Sequence, residues 1–466
     1  MSEIITRTTE SVQEVNDSVN WFMKHFKIGE LLRASNAKKV RGYSVTQIFT
    51  YIVSCMFSPV STYMAMRTGK YKEEFSKNTI YRLYNDANIN WHKFLRLLSE
   101  KVISTFIRPA TSDERIEYFV IDDTPFQKSG KKTELVSKFF NHVTMKYNYG
   151  FRVLSLLWTD EYTSIPVDFC PLSSSDDSLL VCDAKKCDKR SIAGRIRTES
   201  RKKTPDVMMN MLRSAIKAGH KAKYVLFDSW FSSPKCIINI KNEFKLDVIS
   251  MVKKSSKVFY EYNGAQCDVK KIYRKNRKRP GKSKYLLSVD VNLILKKNGE
   301  IIDRTPARIV YVRNKANRKD WIAIISTDVS ISEEEIIRRY GVRWQVEVYF
   351  KTCKQYLKML KECNSTSFDA YTCHLTIVAV RYMILSVYER SNNDDRTLGE
   401  LFWMLAAEVE EIHLAQVLQI LFDAMVETIR EYFQISDDHI EQFVSIFISK
   451  LPNNLKSALL ATVNTT

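Results

Sequence analysis

The chain is short of flexible residues, paired cysteines and histidine clusters. Its 466 residues include only 12 Gly and 10 Pro, which leaves little room for long structureless linkers. The nine Cys are odd in number and scattered. Cys182 and Cys187 form the closest pair, and no second pair follows at zinc-binding spacing. A disulfide framework and a structural zinc site are therefore both disfavoured, and the thiols read as reduced groups of a cytosolic protein. The seven His do not repeat at ligand spacing. The opening stretch MSEIITRTTESVQE is polar, without the apolar segment of a signal peptide. No apolar run is expected to reach the ~20 residues of a membrane span.

Hydrophobic residues make up 45% of the chain, enough for a sizeable core, and the length suggests about two to four domains. Lys and Arg number 72 against 53 Asp and Glu, a formal charge of +19. Such an excess favours a polyanionic partner, with nucleic acid ahead of an anionic membrane.

The texture changes along the chain. Residues 1–112 read as helical. Val45 to Phe57 is apolar at helical spacing, and Ser76 to Tyr84 suits either a capped recognition helix or one member of a plain bundle. At Ile116 the pattern turns to strands. EYFVIDDTPF reads as a buried strand ending in acidic residues, with HVTMKYNYGFRVLSLLWTD and SIPVDFCPL as antiparallel companions. Ser173 to Lys203 is polar and basic, and reads as containing a loop. Thr204-Pro205 starts a helix, and AKYVLFDSWF repeats the pattern of a strand ending in Asp. Residues 246–328 alternate in short runs and form a β-rich block, which holds the basic stretch KKIYRKNRKRPGKSK. Lys275, Arg277 and Lys278 in that stretch are candidate phosphate contacts. Ser332 opens a helix through a capping box with Glu335, expected to run unbroken past Lys354. Residues 371–466 read as helical.

The chemistry lies in the acidic residues. Asp122 and Asp228 each follow a short apolar run, where a carboxylate sits at the rim of a buried sheet. Hard divalent cations need such oxygen ligands, although Asp is also common in plain turns. Asp123 is an adjacent alternative to Asp122, since successive strand residues point to opposite faces. In RRYGVRWQVEVYFKTCK, Tyr340, Arg343, Glu347 and Lys354 are spaced three, four and seven apart. On an unbroken helix they fall within an arc of about 60°. Glu347 would complete a three-carboxylate site. Two Mg²⁺ ions roughly 3.5–4 Å apart on such a site activate a nucleophile and stabilise a leaving oxygen on phosphorus. Arg343 and Lys354 suit phosphates beside the scissile bond, and Tyr340 suits a phosphate oxygen.

With these residues in view, the sequence resembles the insertion-sequence transposases of the DDE class that carry a Y-(2)-R-(3)-E-(6)-K signature. The signature is present as Tyr340, Arg343, Glu347 and Lys354, with Trp344 directly after its Arg. The D-x-T is Asp122-Asp123-Thr124, and the strand Asp is Asp228. The resemblance spans roughly Ile116 to Leu360. It implies an α/β fold: a ribonuclease H-like core over 113–245 and 329–370, interrupted by a β-rich insertion over 246–328. Helical regions would flank it, DNA-binding over 1–112 and dimerising over 371–466. It also implies cut-and-paste transposition with two Mg²⁺ ions, for which Mn²⁺ can substitute. The DNA partners would be transposon ends and target, bound by a homodimer in a synaptic complex. The location would be a prokaryotic cytoplasm, at the nucleoid. In hairpin-forming relatives a flipped base stacks on a Trp of the insertion, and Trp321 stands at the matching position, where a core residue of a strand is an equal reading; Trp230, after the second Asp, is another aromatic candidate that reads as structural. The rival expectations are a ribonuclease H-like nuclease without strand transfer and a domesticated DNA-binding relative that does not cut.

Overall fold

Ten consecutive residues from Tyr118 form the strand around which the sheet is laid. The structure, a computed structural model, describes residues 19–392 except 40, 58–66, 68–74, 113, 142–144, 281–282, 299, 315–316 and 318–319, together with six isolated positions between 439 and 450. The helices that precede the sheet include α1 (Ile28–Ala34), α2 (Val45–Ser54), α3 (Lys77–Tyr84) and α4 (Trp91–Val102). They are amphipathic, and their apolar sides pack on one another and on the sheet. In α3, the expected recognition helix, Ile80 and Leu83 are buried while Tyr81 stays 51% exposed. Its Ser76 makes no side-chain cap.

Strand β1 (Tyr118–Gln127) does not stop at its acidic pair. It continues through Thr124 and Phe126, both buried, and pairs antiparallel along its whole length with β3 (Lys146–Thr159). Asp122 and Asp123 are therefore mid-strand residues, not strand-end turns. The alternation resumes after them, and β3 is long enough to template it. β3 also pairs with β2 (Ser137–Asn141) and with β4 (Ser164–Leu172), all of whose residues are buried. Helices α5 (Ile192–Ser200) and α6 (Thr204–Lys217) then lead to β5 (Tyr224–Phe227), which lies parallel to β1. Helix α7 (Pro234–Phe244) leads to β6 (Asp247–Met251), parallel to β5. The two parallel strands read as near-continuous apolar runs because both of their faces are covered.

The segment expected to contain a loop holds helix α5. Ser191 caps it by accepting the Gly194 N–H at 3.0 Å. The buried Arg197 fixes it by donating to Glu134 at 2.6 Å and to Asp369 at 2.7 Å. Composition suggested a loop, while a distant ion pair makes the helix.

The β-rich block continues the same sheet. β7 (Tyr260–Tyr262), β8 (Ala265–Cys267), helix α8 (Val269–Lys275), β9 (Leu287–Lys297), β10 (Glu300–Arg313) and β11 (Trp321–Ser326) follow in sequence. β11 pairs antiparallel with β6, and β10 and β9 extend outward from it. The result is an eleven-stranded mixed sheet in the order β2-β3-β1-β5-β6-β11-β10-β9-β7-β8, with β4 beside β3. Two helices, α9 (Glu333–Gly341) and α10 (Trp344–Gln355), then return to β1, and α11 (Phe368–Asn392) completes the described core.

Helix α11 corrects one expectation. From Phe368 to Ser391 it is long and apolar enough to cross a membrane, yet its apolar window is wholly buried inside the protein. Its apolarity follows from its central position, between the N-terminal helices and β4. The fully buried Arg381 on it pairs with Glu362 at 2.5 Å and donates to the carbonyl of Val53 at 3.2 Å, so the charge is matched without water. The dimerising role expected for 371–466 falls largely on positions that lie outside the described residues. The cysteines are free thiols, most of them buried.

Two buried histidines join these layers. His220, after α6, places Nδ1 3.0 Å from the Ala215 carbonyl, leaving Nε2 to meet the Ser99 hydroxyl of α4 at 2.8 Å. His374 on α11 donates through Nε2 to the Met359 carbonyl at 2.9 Å. Burial holds both neutral, with pKa values lowered to about 4 from the ordinary 6.5. Between those values the unfolded chain binds more protons than the folded one. Their contribution is therefore complete above pH 6.5 and lost as pH falls toward 4, by at most about 3 kcal/mol each. Urea unfolding at pH 7, 5.5 and 4.5 should show stability falling over this range, with a shallower fall in a His220→Gln, His374→Gln variant. Equal slopes for the two proteins would disprove the assignment.

Candidate active site

Strand register brings the first two acidic residues together. In the parallel β1–β5 ladder Ile121 pairs with Phe227, so Asp122 and Asp228 are the next pair at the end of β5. Paired residues on parallel strands project to the same face, with strands about 4.8 Å apart. Asp228 accepts the Trp230 N–H at 2.5 Å, which fixes the turn that follows it. Asp123 faces the other way and accepts from Arg152 Nη2 at 2.5 Å.

The third carboxylate arrives on a corner. One unbroken helix from Ser332 past Lys354 was expected, and its start is as read: the Ser332 hydroxyl accepts the Glu335 N–H at 3.2 Å. The helix then breaks between Gly341 and Trp344. There the N–H groups of Val342, Arg343, Gln345 and Val346 bond to carbonyls three residues back, each at 3.1 Å. This is 3₁₀ geometry, which interrupts the α-helical hydrogen bonding after Gly341. The common arc calculated for a straight helix does not carry across the corner.

The four signature side chains nevertheless gather at β1, in specific roles. Arg343 Nη1 donates to Asp122 Oδ2 at 2.8 Å, and its Nη2 donates to Glu347 Oε1 at 2.8 Å. Lys354 donates to the hydroxyl of Thr124. Tyr340 lies under the Arg343 guanidinium, 5.9 Å from it, and its buried hydroxyl has no hydrogen-bond partner. Trp344, beside Arg343, is 63% exposed.

The corner is pinned by residues that the sequence reading passed over. Gln345 donates to the Glu161 carbonyl at 2.7 Å and accepts from the hydroxyls of Thr159, at 2.7 Å, and Ser164. Arg338 pairs with Glu161 at 2.8 Å, and Glu161 accepts from the Tyr118 hydroxyl at 2.5 Å. Arg339 donates to Glu335 at 2.6 Å and to the Tyr224 hydroxyl of β5. The adjacent arginines before the signature were a visible signal, but their partners lie in distant strands.

Burial sets the electrostatics of the site. Burial pushes the Asp122 carboxyl up to about 7, outweighing the pull of Arg343, with Asp228 and Asp123 adding to the rise. Asp123 is raised for the same main reason despite Arg152. Burial lowers the Lys354 ammonium and lifts the Tyr340 phenol to about 12. Among the described residues no group of three or more His, Cys, Asp or Glu converges as metal ligands, and Arg343 is bonded to both Asp122 and Glu347. The donor set itself suits a hard cation: these are oxygen ligands, partly dehydrated and mutually repulsive. It fits a divalent ion on condition that the guanidinium moves aside.

The remaining candidates are placed elsewhere. Trp321 is half-buried, stacked on Tyr273 with ring centres 4.8 Å apart and edge-on to Tyr311 at 5.1 Å. Lys275, Arg277 and Lys278 are exposed on α8 and the loop after it, with Lys278 lying 4.6 Å over the Tyr273 ring.

A family model described as "DDE superfamily endonuclease" matches residues 51–318. The match includes Asp122 and Asp228 and ends before the corner that carries Glu347. No curated protein matches the chain.

Gln345→Ala removes three hydrogen bonds, including one to the buried Thr159. It should lower stability by about 1–3 kcal/mol, read from urea unfolding. A change under about 0.3 kcal/mol would show that the corner holds without Gln345.

Proposed function

Because the chain belongs to the DDE superfamily endonucleases, a family that acts on DNA and generally depends on divalent metal, we propose that it is a DNA transposase whose catalytic carboxylates are Asp122, Asp228 and Glu347. The observation that carries this is the single Arg343 guanidinium bonded to both Asp122 and Glu347, with Asp228 beside Asp122 in register. Asp122 and Glu347, from distant segments, meet at one cation, and Asp228 lies near enough to Asp122 to raise its carboxyl. The order β4-β3-β1-β5-β6, three antiparallel strands followed by two parallel to β1, supports a ribonuclease H-like core. The insertion expected over 246–328 takes in β6, which pairs parallel with β5 as part of this order, and the strands beyond β6 support the β-rich insertion.

Asp122, Asp228 and Glu347 would hold two Mg²⁺ ions, or Mn²⁺ in their place. Bound there, the ions supply positive charge that lowers the pKa of an attacking hydroxyl and stabilises a leaving oxygen on phosphorus. The chain's own groups orient the DNA. Arg343, once released from the carboxylates, presents a planar fork to a phosphate. Lys354, held against Thr124, places a cation beside β1. The unpaired Tyr340 hydroxyl is available to donate to a phosphate oxygen. Hydrolysis at transposon ends, hairpin formation and joining to target DNA by a homodimer at the nucleoid complete the proposal. In the hairpin step Trp321 would have to exchange its stack on Tyr273 for a base. A nuclease that stops after cutting is separated from a transposase by the absence of joined products.

Asp122→Ala, Asp228→Ala and Glu347→Ala should each abolish Mg²⁺-dependent cleavage of end-containing DNA with binding largely kept. Asp123→Ala, which breaks only the contact with Arg152, should be milder. Any of the first three variants cutting at the wild-type rate removes that residue from the site.

Binding should also weaken steeply with salt through counterion release. Neutralising Lys270, Lys271, Arg274, Lys275, Arg277, Lys278 and Arg279 together should flatten the slope of log affinity against log salt. An unchanged slope would assign this basic run to solvent.

A further inference from the structure

Trp230 stands two residues beyond Asp228, and 53% of it is exposed. The turn that carries it is not loose. Its N–H is bonded to Asp228 Oδ1 at 2.5 Å. The next residue, Phe231, is buried and packs edge-on against Phe227 of β5. Ser232 is buried, 3.0 Å from the Ser250 hydroxyl of β6. A rigid turn therefore holds the largest apolar side chain of the segment out toward solvent, at the edge where Asp122 and Asp228 meet.

Two cations lie over the indole ring, in contacts that an incoming base and its phosphates would take over. The Arg152 guanidinium lies 5.5 Å from the ring centre and the Lys253 ammonium 4.9 Å. Arg152 comes from β3 and is also bound to Asp123. Lys253 comes from the segment after β6, which the parallel β5–β6 pair delivers to the same edge. An aromatic face between an arginine and a lysine is the arrangement that single-stranded nucleic acid uses: a base stacks on the ring and its phosphates meet the cations. A paired base within a duplex cannot offer its face in this way.

Trp321 contrasts with it. That indole is half-buried and stacked on Tyr273, and Lys254 lies 4.4 Å over its ring. It completes an aromatic cluster of the outer sheet.

We propose that Trp230 is a stacking platform for an unpaired nucleobase of the strand held at the carboxylates, with Arg152 and Lys253 receiving the phosphates on either side. The assignment of the strand rests on the DNA-cleavage reading above, while the platform itself is tested by binding alone.

The probes are fluorescein-labelled oligothymidylate of 12 nucleotides and a 12-base-pair duplex, followed by anisotropy without divalent ions. Trp230→Ala should weaken oligothymidylate binding about 5- to 150-fold and leave duplex binding within about twofold. Trp230→Phe should recover most of the loss. In a strand carrying one 2-aminopurine, binding to the wild type and to Trp230→Phe should quench its fluorescence, and binding to Trp230→Ala should not. Lys253→Ala, a change at an exposed side chain, should lower the salt slope on oligothymidylate by about 1. The proposal is overturned if the wild type does not bind oligothymidylate, if Trp230→Ala weakens both probes equally, or if it weakens neither. If Trp230→Ala proves unfolded by its melting curve, the quenching and Trp230→Phe results decide, and absence of quenching in the wild type overturns it. A wild type that cuts no DNA with Mg²⁺ or Mn²⁺, yet shows this binding pattern, refutes the cleavage reading and leaves the platform standing.

Discussion

One guanidinium holds the site together. Arg343 is bonded at once to Asp122 and Glu347, and Asp228 and Asp123 crowd the same end of the sheet. Removing carboxylates from water costs more than a single nearby cation returns. The upward shift of Asp122 to about 7, in spite of Arg343, expresses that imbalance. Such a site is stable only if its frame is stiffer than the repulsion within it. The frame has two parts: the β1–β5 register that fixes the aspartates, and the corner between α9 and α10 that fixes Arg343 and Glu347.

The corner explains why the arginine can reach both partners. On a straight helix, Arg343 and Glu347 would sit one turn apart on a common face. The 3₁₀ segment places Arg343 at the bend, next to the first turn of α10. Gln345 and Arg338 tie that bend to the β3–β4 turn through Glu161. Arg339 ties α9 to Tyr224 on β5. The strand that ends at Asp228 and the helix that precedes Arg343 are thus held by one network, so the distance between the carboxylates is set by backbone elements. Farther out, the buried Arg197 and Arg381 clamp α5 and α11 around the sheet.

Much of this was legible in the sequence. Apolar runs marked β1, β4 and β5, because strands buried on both faces lack polar alternation, while β6 was read within the alternating block that follows. The Ser332–Glu335 cap was read from four residues. Asp228 was found because its strand does end there. What escaped is non-local. The extension of β1 past its acidic pair depends on β3 as a template. Helix α5 depends on Arg197 finding Glu134 and Asp369. The break at Gly341 is a choice between two hydrogen-bond patterns that share one side-chain spacing. Trp321 looked available because its neighbour in the fold, Tyr273, is far from it in sequence. Trp230 read as structural, since a strand-to-turn segment gives no sign in sequence of which aromatic faces outward.

Charge balance links these observations to DNA. Around the site the acidic groups Asp122, Asp123, Asp228 and Glu347 face Arg343, Arg152 and Lys354, most of them in direct ion pairs. Taken alone, this arrangement offers a phosphodiester little attraction, although the chain as a whole carries +19. The attraction must come first from the exposed basic surface, including α8 and the loop after it, where counterion release acts at range. Close binding at the carboxylates requires positive charge to take the place of Arg343. On the proposed reading the guanidinium would then be released toward a phosphate. In the structure this one residue offsets two of the four carboxylates, a duty that would pass to another cation when substrate binds.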